Sequence, residues 1–180
     1  LGPSAESVSI LFRFDVSIPQ DPTFKGKMKI IQMLLTNGQA GLIDLNINQT
    51  QKAMGAYAYD LPMKDYSLFL LSAKPVSGQS LDSLPALLLA QLEKLKTGNF
   101  DNWLIPAVIN DYKMSSMQQY ESNKARADAF VDAFIWGVSW SDYLNEINTL
   151  EAMTKQDVQD FCATYFKSNY VTVFKRKGVD

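Results

Sequence analysis

The chain of 180 residues has no histidine and only one cysteine, Cys162. Histidine is the side chain whose unperturbed pKa falls between about pH 5 and 8, and it is the commonest metal ligand. Its absence excludes Ser-His-Asp and Cys-His nucleophile systems, and every His-dependent zinc site, within this polypeptide. One thiol forms neither an internal disulfide nor a four-sulfur zinc site, so no metal or His-based catalysis is expected from the chain by itself. The lone cysteine is compatible with a reducing cytoplasm or an oxidising periplasm. Long apolar runs are missing as well. The richest, Leu84-Pro85-Ala86-Leu87-Leu88-Leu89, soon meets Gln91, Glu93 and Lys94; a membrane helix needs roughly 18 apolar residues, so no membrane insertion is expected. No charged segment leads into an apolar one at the start, so no signal-peptide pattern is present, and Leu1-Gly2-Pro3-Ser4 reads as the start of a piece excised from a longer chain. An excess of one charge is also lacking. A formal net charge of -2 offers no overall attraction to nucleic acid or anionic lipid, and the one basic run, Lys175-Arg176-Lys177, reads as a solvated strand end.

What is present is a core-forming composition, 47% hydrophobic and 20% charged, over a length that fits a single domain spanning 1–180. From Val8 to Ile18 the apolar residues alternate with Ser9, Arg13, Asp15 and Ser17, the period of a half-buried strand. Pro19-Gln20-Asp21-Pro22 stops it. Phe24, Met28, Ile31 and Leu35 are at helical spacing, with Asn37-Gly38 as the stop. Gly41 to about Gln51 fits a short second helix or a buried strand, with the helical reading preferred. Met54–Leu61 and Tyr66–Ala73 read as two strands joined by a turn at Pro62-Met63-Lys64-Asp65.

The remainder reads as mostly helical. Ser80 or Ser83 caps a helix whose Leu84, Leu87, Leu88, Leu92 and Leu95 form one stripe, ending at Thr97-Gly98. Asn99 or Asp101 caps a long helix running from Trp103 to Ile135, with a local irregularity expected at Pro106. A break at Gly137 precedes Tyr143–Leu150, and Thr154-Lys155-Gln156-Asp157 is a capping-box start for a helix carrying Val158, Phe161, Cys162 and Tyr165. The last element is a strand, Tyr170 to Lys175, with Val171 and Val173 on one face. Strands early, a run of helices and one returning strand define an α+β fold, a mostly antiparallel sheet with helices packed on one face.

The residues that chemistry would use have simpler readings. Tyr57 and Tyr59, two apart, share a strand face where aromatic packing accounts for them. Lys52 reads as a solvated charge. Glu121 and Asp128, seven apart on the predicted long helix, share a face as paired carboxylates would, but Lys124 and Arg126 nearby make them surface charge pairs. Trp103, Trp136 and Trp140 read as core or interdomain anchors, and Cys162 as a small buried hydrophobe. Gly38-Gln39-Ala40-Gly41 is too short and too poorly patterned for a phosphate cradle. No convergent set of Asp, Glu, Lys and Tyr supports a His-free hydrolase or lyase.

The order of elements and the local wording resemble the insulinase and pitrilysin family of zinc metallopeptidases over nearly the whole chain. The resemblance is carried by Gly2-Pro3-Ser4 before the first strand and by Met33-Leu34-Leu35-Thr36-Asn37-Gly38-Gln39-Ala40-Gly41-Leu42 between the first two helices. It is carried also by Gly55-Ala56-Tyr57-Ala58-Tyr59, by Leu92-Glu93-Lys94-Leu95-Lys96-Thr97-Gly98-Asn99-Phe100, and by Leu150 through Asp157 before the final helix. Order and spacing together, rather than any single piece, make the match.

In that family zinc sits on an inverted His-x-x-Glu-His helix whose Glu is the general base. No histidine here can take that place, so the resemblance implies a non-catalytic domain, with the second domain as the expected position and a later one left open. It implies a domain that packs beside a catalytic domain and further domains of a parent chain, helps enclose a chamber for a peptide substrate, and leaves the zinc to that neighbour. Some members carry an Arg seven residues before a Tyr that touches the peptide. Tyr57 would pair with Thr50 and Tyr59 with Lys52. Neither partner is Arg, and only Lys52 keeps a cation, so Lys52, Tyr57 and Tyr59 are the expected peptide contacts. The alternative implied by the same family is a scaffolding module with no active partner.

Overall fold

The computed structural model describes residues 5–19 and 21–178; the Gly2-Pro3-Ser4 lead-in and Gln20 of the predicted stop lie outside the described residues. β1 (Ser7–Phe14) turns Val8, Ile10, Phe12 and Phe14 to one buried face, as its alternation requires. β2 (Gly55–Pro62) and β3 (Ser67–Lys74) form the expected hairpin, and β4 (Tyr170–Lys175) returns at the end of the chain. The sheet runs β2-β3-β1-β4, and every pairing is antiparallel.

β1 is shorter than its alternation predicts. Its register reaches its end where Phe14 meets Ser67, the first residue of β3, so Asp15–Ile18 has no strand to pair with. Ile18 is nonetheless buried, held by its amide donating to the Lys64 carbonyl at 3.0 Å.

Helix α1 (Phe24–Leu35) packs on β2, and a π-helical turn at Asp44–Asn48 supplies the second helical segment. Helix α2 (Leu84–Thr97) ends on Gly98 at φ 69°, the left-handed residue that closes a helix. Ser80, not Ser83, provides the cap at its approach, accepting from the Asp82 amide. The predicted long helix is two helices, α3 (Leu104–Gln119) and α4 (Asn123–Trp136). The break falls where Ser122 adopts an extended backbone and its hydroxyl accepts from the Ala125 amide, so local capping wins over continuity. Neither Asn99 nor Asp101 caps α3, whose N-cap is Trp103 with no side-chain bond. Pro106 causes no irregularity. It occupies the first turn, where backbone donors have no intrahelical acceptor to lose.

Helix α5 (Trp140–Glu151) follows the break at Gly137, and α6 (Lys155–Tyr165) begins with the predicted capping box. The Thr154 amide donates to Asp157 at 2.7 Å and the Asp157 amide donates to the Thr154 hydroxyl at 3.2 Å. Phe166, just past α6, presses edge-on against Phe12, Phe14 and Phe69 at centroid distances of 5.0, 5.1 and 5.0 Å. These rings join β1, β3 and the last helix in one core.

α5 meets α1 at Gly26. A Cβ there would lie 2.7 Å from Glu146 Oε1 and 2.8 Å from Leu150 Cδ1. Glu146 is itself buried, its Oε2 accepting from the Tyr112 hydroxyl at 3.3 Å and lying 3.7 Å from Lys25 Nζ. Lys25 in turn lies over the Tyr143 ring at 5.2 Å and the Trp136 ring at 5.7 Å, so one cation ties α1 to α4 and α5. Glu146 Oε1 has no partner among the described residues.

Two outcomes are expected. Alanine is favoured over glycine in a helix by about 1 kcal/mol, but the forced contacts cost about 1–3 kcal/mol, so Gly26→Ala is expected to lower stability by about 1 kcal/mol in urea unfolding. Burial outweighs the Lys25 cation and the Tyr112 hydroxyl and holds the Glu146 carboxyl above its ordinary 4.5. The folded state therefore binds this proton more tightly than the unfolded chain. The resulting contribution is fully present below the unfolded value and is lost as pH rises through the raised folded value. Stability curves of native protein and Glu146→Gln are expected to diverge in favour of Gln across that window, and parallel curves would contradict the assignment.

Candidate functional site

The helices cover one face of the sheet and leave the other open. By register that open face carries Tyr57, Tyr59 and Leu61 from β2, Leu68 and Leu70 from β3, Ser9, Leu11 and Arg13 from β1, and Val171 and Val173 from β4. Tyr59 is 53% exposed, Val171 59% and Val173 56%, values that a covered sheet would not allow. At its centre Ser9 and Ser72 share a hydroxyl hydrogen bond at 3.1 Å, while the Ser72 hydroxyl also reaches the Val8 carbonyl at 2.9 Å. The surface is thus an apolar row with a small polar middle.

Tyr57 and Tyr59 lie on this face, their rings 5.0 Å apart and inclined at 59°. Lys52 lies in the turn before β2. Its carbonyl accepts from Gln79 Nε2 at 2.9 Å and its side chain is exposed; no hydrogen bond, ion pair or cation–π contact joins it to either tyrosine among the described residues. Thr50 folds its hydroxyl back onto the Asn46 carbonyl at 2.7 Å. Arg13 shares the open face, as Lys74 and Lys175 do by register; Arg13 pairs with Asp15 at 2.8 Å and lies 4.7 Å over the Tyr66 ring. Sequence reasoning passed over Arg13, although the period of two in β1 already placed it with Ser9 and Leu11.

Other readings resolve clearly. Glu121 lies in the break between α3 and α4, so it shares no helix face with Asp128, which pairs instead with Lys124 one turn away. Trp103 is exposed, Trp136 lies against Lys25, and Trp140 stacks on Phe130 at 4.0 Å. Cys162 is fully buried and burial pushes its thiol up to about 12, which makes it inert. In the Gly38-Gln39-Ala40-Gly41 loop the backbone donors are already used. Asp44 Oδ2 accepts from the Asn37 and Gly38 amides at 2.8 and 2.9 Å, and Asn37 Oδ1 accepts from those of Gln39, Ala40 and Gly41. A side-chain carboxylate occupies the place an anion would take, and a Cβ at Gly41 would lie 2.5 Å from the Leu35 carbonyl. Among the described residues no three His, Cys, Asp or Glu side chains are grouped to hold a metal. No helix among them is long and apolar enough to cross a membrane.

A four-stranded antiparallel sheet with helices on one face, an open opposite face and no zinc-binding motif has the fold of M16-type peptidase domains. The chain is similar to a protease from Helicobacter pylori, with TM-score 0.86 and 19% identity over 96% of this chain and 41% of that one. It is similar to the inactive peptidase domain of a Bordetella parapertussis protein described as a zinc protease, with TM-score 0.83 and 17% identity over 100% of this chain and 95% of that one. The peptidase M16 inactive domain from Pseudomonas fluorescens gives TM-score 0.78 and 15% identity over 96% and 41%. The sequence matches no protein-family profile and no curated protein. At these identities the likeness is one of fold, and the chain spans 41% of the length of the Helicobacter protein.

The open and covered faces of the sheet are expected to respond differently to substitution. Val171→Thr on the open face should leave stability within about 0.5 kcal/mol, whereas Phe69→Ala on the covered face should cost about 3–5 kcal/mol. Urea unfolding of the two variants checks this; equal losses would mean that the open face is covered in solution.

Proposed function

We propose that the chain is a catalytically silent domain of a zinc metallopeptidase, packing on a separate domain that bears the His-x-x-Glu-His motif. Its open sheet face forms part of the wall of a peptide-binding chamber. The observation that carries this reading is the combination of an M16-type fold, a sequence without histidine and an uncovered apolar sheet face. A neighbour bearing zinc would supply the Lewis acid and the activated water. This chain then contributes surface: the tilted pair Tyr57 and Tyr59 and the apolar row give a peptide area to lie on, Lys52 and Arg13 offer charge at the margins, and a second wall keeps water from the reacting bond.

The test pairs this chain with the companion domain encoded beside it that carries His-x-x-Glu-His. The isolated chain is expected to hold no stoichiometric zinc and to leave casein intact, and the pair to cleave peptides. In the pair, Tyr59→Ala is expected to lower kcat/KM about three- to tenfold with zinc content unchanged. Proteolysis or stoichiometric zinc from the chain alone would overturn the proposal. So would a companion whose activity is the same with and without this chain, the result a scaffolding module would give.

A further inference from the structure

The two edges of the sheet are finished in different ways. On β2 the Met63 amide donates to the Tyr66 carbonyl, so that pair and those at every second residue from it are hydrogen-bonded to β3, and Ala56 and Ala58 point their backbone groups outward. Those groups are met by side chains. Asn48 accepts from the Ala56 amide at 2.8 Å and donates to its carbonyl at 2.9 Å; Thr36 accepts from the Ala58 amide at 3.1 Å and Gln32 donates to its carbonyl at 3.1 Å. Asp60 and Pro62 further along discourage pairing as well. This edge is closed from within.

The β4 edge has no such finish. The Arg13 amide donates to the Asn169 carbonyl at 3.2 Å, so Leu11 with Val171 and Ser9 with Val173 are the hydrogen-bonded pairs. Tyr170, Thr172 and Phe174 therefore turn their amides and carbonyls away from β1, and no side chain among the described residues meets them. From Tyr170 to Phe174 the strand has no charge, no proline and no bulge, the devices that ordinarily keep an edge from pairing. Cations flank it at both ends, Lys167 on one side and Lys175, Arg176 and Lys177 on the other. Of these only Arg176 has an ion-pair partner among the described residues, an exposed one, Asp82 at 3.5 Å; the Lys177 amide, not its ammonium, bonds Glu6.

We propose that the free edge of β4 is a docking site for an extended strand of a partner polypeptide that is acidic at its ends. Three outward amides and three outward carbonyls, those of Tyr170, Thr172 and Phe174, form the ladder, and the basic flanks select the acidic strand. The charges also argue against a second copy as the occupant. Antiparallel self-pairing about Thr172 places Lys177 of one chain opposite Lys167 of the other, like against like.

The probe is a capped peptide, Glu-Glu-Val-Thr-Val-Thr-Val-Glu-Glu, with a Lys-ended twin, measured by fluorescence polarisation against the purified chain at low salt. Saturable binding is expected, about tenfold tighter for the Glu-ended peptide and weakening as salt rises. Thr172→Pro removes an outward donor without touching a β1 bond, so it is expected to keep the native unfolding midpoint and lose at least about tenfold in affinity. Amide exchange should slow at Tyr170, Thr172 and Phe174 when the Glu-ended peptide is added. The proposal is overturned by absence of saturable binding, by equal affinity for the two peptides, by binding that survives Thr172→Pro, or by a dimer of the chain that Thr172→Pro dissolves, which would assign the edge to a second copy.

Discussion

Everything in this fold depends on an antiparallel sheet being buried from one side only. The apolar residues of β1 and β3 that point towards the helices need a cover, and the cover is fixed by aromatic edges. Phe166 sits among Phe12, Phe14 and Phe69, Phe24 reaches Phe161 at 5.4 Å, and α2 and α6 pack together beside them. Rings that meet edge to face fill space at defined angles, so the last helix and the first strand, more than a hundred residues apart in the chain, are held in one geometry. With the helices committed to that side, no helix among the described residues covers the opposite face.

That one-sidedness connects the fold to its use. An open antiparallel face normally reads as alternating apolar-in and polar-out, yet here Leu11, Leu61, Leu68, Leu70, Val171 and Val173 face outward. So much apolar surface on the open side, in a fold found within longer peptidase chains, is the feature on which the proposed packing against a neighbour rests. The donors of Asn37 to Gly41 are spent on Asn37 and Asp44, the one thiol is buried, and the buried carboxylate of Glu146 is bound to Lys25 and Tyr112 between helices. These polar groups are used within the fold, in a loop turn and between helices.

Much of this was legible in the letters. The alternation of β1, the hairpin, the capping box at Thr154 and the glycine stops at Gly98 and Gly137 are local signals, and local signals decide those elements. What was not legible depended on partners distant in sequence. β1 ends where β3 begins, which no pattern within β1 records. The split between α3 and α4 turned on Ser122, whose cap competes with an otherwise continuous helical pattern. For the site, the shared face of Tyr57 and Tyr59 followed from spacing, while the place of Arg13 on the same face, two strands away, required strand order, and the isolation of Lys52 required the turn that carries it away. The difference between a closed β2 edge and an open β4 edge was invisible until Asn48, Thr36 and Gln32 could be seen meeting the backbone.

The central claim is that the open sheet face, rather than the exposed apolar side of α4, looks onto the peptide. A photoreactive phenylalanine analogue placed at Tyr59, and separately at Phe134, which is 85% exposed on α4, tests it in the assembled peptidase with a labelled peptide substrate. The label is expected to be captured from the Tyr59 position and not from Phe134. Capture from Phe134 with none from Tyr59 would contradict it.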